Sequence, residues 1–235
     1  MDLPKKSLSD RLSPSFRALL AASDITSPIS GDAIEYACQL PAYVQCTGRG
    51  VPESVEIDCL GPVEALSISC QRIPSFHAFS TLRELYLYNH TGDIDLERLK
   101  DISVIRFENC YNLVDLTPLE GGNLRQLCLW GCDQIVDLSP LSGLDSISIE
   151  HCRGVVDVSP LKDVRKVRLE YCDGIEGVSC LEGGKIKELH IEGCERITDV
   201  VSLINTVDKL ILYSCSEEIR PETLQGGKAT VVFLD

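Results

Sequence analysis

Six cysteines, at positions 110, 132, 152, 172, 194 and 215, follow one another at intervals of 22, 20, 20, 22 and 21 residues. Four carry an aspartate five residues downstream: Asp115, Asp137, Asp157 and Asp199. Thiolates and carboxylates are the ligands of zinc and calcium, and neighbouring thiols can oxidise to disulfides. The spacing suits none of these. Zinc needs four convergent ligands, the chain contains no CxxC pair, and calcium needs several oxygens from a single loop. Parallel thiols one repeat apart are poorly set for the disulfide dihedral. The cysteines are therefore expected to be free, in a reducing, cytoplasmic compartment, with no metal or cofactor bound. His77, His90, His151 and His190 belong to no nucleophile or metal motif, and the Gly-Gly pairs beginning at 121, 183 and 226 lie outside any phosphate-loop context. No catalytic residue is expected.

The cysteines gain meaning from what surrounds them. "LRQLCLWGC", "LDSISIEHC", "VRKVRLEYC", "IKELHIEGC" and "VDKLILYSC" each place aliphatic residues three and five positions before the thiol, the alternation of a short strand with one buried face. Downstream come an aliphatic residue at cysteine plus three, another at plus six and a leucine at plus nine, with Pro118, Pro140 and Pro160 at plus eight. This LxxLxLxxCxxI pattern, with its D-[LV]-[ST]-P-L continuation, resembles the leucine-rich repeat family, with cysteine where many members carry asparagine. The resemblance implies an α/β repeat solenoid. Its parallel sheet would line the concave side of a horseshoe or slab, the convex side would be mostly irregular, and a short helical cap would cover the N-terminal end.

Within one rung, the cysteine is expected to fill an inner corner as a small, weakly polar group. The aspartates are expected to cap backbone N–H groups of the next turn, helped by Thr117, Ser139 and Ser159. Residues 54–227 hold about seven to eight rungs. His90 takes the cysteine slot in "LRELYLYNH", and "SVEIDC" (54–59) alternates like an early strand. Residues 228–235 read as a capping strand. Residues 1–53 do not repeat and read as a helical cap or extension, with short helices suggested by Phe16, Leu19 and Leu20 and by Ile34, Ala37 and Cys38.

The 36 acidic and 22 basic side chains leave a net charge of -14, which argues against nucleic acid and anionic membranes as partners. No stretch approaches the roughly 20 apolar residues of a membrane span. Function should therefore reside where the fold leaves residues undictated, in the outward rows of the strands. One row reads Tyr86, Arg106, Cys128, Ser148, Arg168, His190 and Ile211; the next reads Tyr88, Glu108, Trp130, Glu150, Glu170, Glu192 and Tyr213. Aromatic residues and arginine anchor protein interfaces, and a carboxylate stripe steers a basic segment. Tyr86, Tyr88, Arg106, Glu108, Trp130, Glu150, Arg168, Glu170, His190, Glu192 and Tyr213 are thus the candidate contacts of a protein partner. The resemblance implies a non-catalytic scaffold or adaptor. The alternatives are a regulatory subunit or inhibitor of an enzyme, or a substrate adaptor of a ubiquitin ligase.

Overall fold

The structure, a computed structural model, describes residues 82–234 in full and two further strands, Tyr43–Thr47 and Ala65–Ser69, by their backbone. The helices expected near Phe16 and Ile34, and the strand expected at 54–59, lie outside the described residues. Ten five-residue strands form one parallel sheet in sequential order: β1 (Tyr43–Thr47), β2 (Ala65–Ser69), β3 (Glu84–Tyr88), β4 (Val104–Glu108), β5 (Gln126–Trp130), β6 (Ser146–Glu150), β7 (Lys166–Glu170), β8 (Glu188–Glu192), β9 (Lys209–Tyr213) and β10 (Thr230–Leu234). Each strand pairs with the next in unbroken register, so equivalent residues of successive rungs stand side by side. This is a leucine-rich-repeat solenoid.

Alternation along the strands decides which face is buried. From β3 to β9 both aliphatic or aromatic positions of every strand, such as Leu127 with Leu129 and Val167 with Leu169, are no more than 2% exposed. A single rung has nothing to cover them, so stacking creates the core. The cysteines close its corner. Cys152 Sγ lies 3.3 Å from the carbonyl oxygen of Glu150 in its own rung and 3.6 Å from that of Leu129 in the preceding one. Cys110, Cys132, Cys172, Cys194 and Cys215 repeat the arrangement. His90, 1% exposed, fills the same slot in its rung.

The convex side is more regular than the sequence suggests. Each described rung carries a short 3₁₀ helix, as at Thr117–Leu119, Ser139–Leu141 and Ser159–Asp163, and proline is the second residue of all three. Proline suits that place because the first N–H of a helical turn has no intrahelical partner. The aspartates act as expected. Oδ1 of Asp115, Asp137, Asp157 and Asp199 accepts the N–H two residues on at 2.8 Å, and the Ser139 and Ser159 hydroxyls donate to their own aspartates. These bonds hold the Asp115 and Asp137 carboxyls below their usual range. Gly-Gly pairs close longer rungs: Gly183 adopts a φ of +72°, and a Cβ on Gly184 would meet the Lys162 carbonyl oxygen at 2.0 Å.

One boundary differs from expectation. The sheet begins at β1, inside the segment expected to be a cap, and its register sets Val44 beside Leu66 and Cys46 beside Ile68. That rung lacks the cysteine-and-aspartate tail by which the others were recognised. At the far end β10 lies within residues 228–235 and pairs in parallel with β9, with Phe233 37% and Leu234 50% exposed. Among the described residues, no helix is long and apolar enough to cross a membrane.

Candidate partner-binding face

The registers confirm both outward rows. Tyr86, Arg106, Cys128, Ser148, Arg168, His190 and Ile211 run across the open face beside Tyr88, Glu108, Trp130, Glu150, Glu170, Glu192 and Tyr213. Adjacent strands lie about 4.8 Å apart. The backbones of Tyr88 and Trp130 are therefore separated by the Arg106–Glu108 rung, at roughly 10 Å. Tyr86 and Tyr88 sit together on β3, where the Tyr86 hydroxyl donates to Glu84.

Trp130 instead belongs to a cluster that the outward rows do not reveal. Its ring meets His151 edge to face, with centroids 5.8 Å apart and planes at 83°. His151 stacks on Tyr171 at 4.8 Å and 6°, and the Tyr171 hydroxyl donates to Glu192 Oε1 at 2.8 Å. His151 and Tyr171 each lie just beyond a strand, at the position before the cysteine. That position is left-handed in every described rung from 89 to 214: Asn89, Asn109, Gly131, His151, Tyr171, Gly193 and Ser214 have φ between 45° and 62°. Gly and Asn tolerate such a backbone, whereas a tyrosine there costs about 1–2 kcal/mol. Gly193 makes room for the ring, since a Cβ on it would lie 2.4 Å from Tyr171 Cδ1. The Asn and Gly residues preceding the cysteine slot were the sequence signal for this third row.

The carboxylate stripe is partly balanced from within its own strands. Arg168 Nη1 lies 2.7 Å from Glu170 Oε1, Arg106 Nε 4.0 Å from Glu108 Oε2, and Ser148 Oγ donates to Glu150 at 2.8 Å. Glu170 is only 9% exposed, and burial followed by the charge of Glu150 raises its carboxyl above the usual range. Burial, followed by the Arg168 charge, lowers the His190 imidazole, so its 3.4 Å approach to Glu192 Oε2 is not an ion pair at neutral pH. Lys166 and Lys209 both reach Glu188 from the strands on either side. A groove of about 460 Å³ runs across β4 to β8 between Arg106, Cys128, Ser148, Glu150, Arg168 and His190.

Burial pushes Cys128 up to about 11 and Cys152 up to about 12, so neither is a thiolate at neutral pH. Cys180 is the one exposed thiol among the described residues. Native alkylation read by peptide mass spectrometry should therefore modify Cys180 before the other thiols of the described residues and spare Cys132, Cys152 and Cys172 until the chain unfolds. Equal rates at Cys152 and Cys180 would mean that the corner opens in the native state.

Two solved structures share the architecture. An internalin C2 from Listeria monocytogenes aligns over 73% of this chain and 81% of its own, with 16% identity and a TM-score of 0.51. An internalin, inlF, from the same organism aligns over 97% of this chain and 72% of its own, with 17% identity and a TM-score of 0.59. No protein-family model and no curated protein sequence matches the chain. The likeness is one of fold, a stack of parallel strands forming a leucine-rich-repeat solenoid.

Proposed function

We propose that this chain is a non-catalytic scaffold or adaptor that binds a partner protein on the open, concave face of its sheet, the partner presenting a basic segment. The observation that carries the reading is the continuous run Trp130, His151, Tyr171 beside Glu150 and Glu192, on the face that packing leaves free. Rigid aromatic surface supplies binding energy at low entropic cost, and flanking carboxylates orient a basic partner. The eight free thiols among the described residues support a reducing, cytoplasmic setting.

Affinity capture from native extract, followed by mass spectrometry, tests the proposal when repeated with Glu108→Lys and Glu150→Lys. The captured partner should associate with these variants roughly tenfold more slowly, with a flatter salt dependence. If both variants capture the same proteins at unchanged rates, the acidic row is only a solvated surface.

A further inference from the structure

We propose that Glu170, His190 and Glu192 form a binding site for one divalent cation of the zinc class on the open sheet face. The register of β7 and β8 sets Glu170 beside Glu192, and His190 lies two residues before Glu192, so all three side chains emerge on one side of the sheet. One ligand atom from each lies within 4.8 Å of the other two. His190 Nε2 and Glu192 Oε2 are 3.4 Å apart, which matches the edge of a tetrahedron with metal–ligand bonds of about 2.0–2.1 Å.

The histidine provides the second line of argument. Both ring nitrogens of His190 are closed to solvent; Nδ1 lacks a hydrogen-bond partner, and Nε2 meets only the Glu192 carboxylate at 3.4 Å, outside good hydrogen-bond geometry. Buried polar atoms are nearly always satisfied, and a neutral imidazole offers one nitrogen lone pair to a metal. Its surroundings suit a cation too. Glu150, Glu170 and Glu192 stand on consecutive strands, and like charges directly opposite one another repel. Arg168 occupies Oε1 of Glu170 and leaves Oε2 for coordination. One nitrogen and two carboxylate oxygens favour zinc and its late first-row neighbours over calcium or magnesium, which take shells of six or more oxygens. Three protein ligands leave a fourth position of a tetrahedral ion for water or another ligand. The site stands whether or not a protein occupies that face.

Cobalt(II), a spectroscopic stand-in for zinc, separates this site from the many thiols. The full chain, stripped with a chelator, should take up one equivalent of cobalt, with visible bands of low-symmetry nitrogen and oxygen coordination and no thiolate charge-transfer band. Zinc should displace it and raise the thermal midpoint. His190→Gln and Glu192→Gln, checked for native circular dichroism, should each weaken cobalt binding by more than about tenfold. The proposal is overturned by a thiolate band at one equivalent, by the absence of uptake, or by either variant binding as the parent does. Should His190→Gln fail to fold, Glu192→Gln decides alone, because its carboxylate is not part of the core.

Discussion

Phe107→Ala should lower the free energy of unfolding by about 3–5 kcal/mol, out of a total that for a domain is about 5–15 kcal/mol. Phe107 is the largest side chain fully buried among the described residues, on β4 between Leu87 and Leu129 of the adjoining strands. Its neighbours are fixed by strands that continue on both sides, so the cavity cannot collapse. In a solenoid each rung touches only those next to it, which makes a lesion in one rung a weak joint between two blocks. Chemical denaturation should therefore show a lower midpoint and a shallower slope, as the blocks begin to unfold separately. Val136→Ala, at a position 60% exposed, is the control and should change stability by less than about 0.5 kcal/mol. Equal effects from the two variants would mean that the stacked core is not the source of stability.

That core was legible because it is dictated. Nearly every inward position is aliphatic and nearly every corner a cysteine, with Phe107 and His90 the exceptions among the described strands and corners, so the cysteine, aspartate and proline offsets announce the rung and its period. Asp137 and Ser139 could even be paired in advance, since an aspartate reaches the N–H two residues on by local geometry alone. Where the marks are missing, as around Val44 and Cys46, the rung went unread although the strand is present. Short 3₁₀ turns were missed for a different reason. A three-residue helical turn has no periodicity of its own, so Thr117–Leu119 looks like any proline-containing loop.

The open face was legible in its rows but not in its contacts. Register can be inferred from the repeat, and the placement of Glu108, Glu150, Glu170 and Glu192 follows from it. Which side chains then touch depends on rotamers and on the turn after each strand. Arg168 folds along its own strand onto Glu170, so a row of four carboxylates presents less free charge than its composition implies. Exposed pairs of this kind contribute little stability. Their consequence is directional: within the row Glu108 and Glu170 meet arginines, whereas Glu150, beside Trp130, and Glu192 pair with no charged cation among the described residues.

Tyr171→Gly should separate fold from function more cleanly than any other single change. Tyr171 holds a φ of 52°, a conformation that costs a bulky residue about 1–2 kcal/mol and a glycine almost nothing. Losing the ring forfeits the stack on His151, worth about 0.5–1.5 kcal/mol, and the exposed hydrogen bond to Glu192. Those terms roughly cancel, so the thermal midpoint should scarcely move. Binding is different. If Trp130, His151 and Tyr171 anchor the partner, Tyr171→Gly removes a rigid aromatic surface, and Trp130→Ala removes the other end of the run. Each should weaken the complex by about 2 kcal/mol or more, roughly 30-fold in Kd, by calorimetry or surface binding with the captured partner. Tyr88→Ala, on the separate β3 patch, shows whether the contact reaches across the Arg106–Glu108 rung. Backbone strain retained in a folded protein points to a role when its relief leaves stability intact and costs activity. A Tyr171→Gly variant that melts early and binds normally would assign the ring to the fold, and the run from Trp130 would lose its claim as the binding surface.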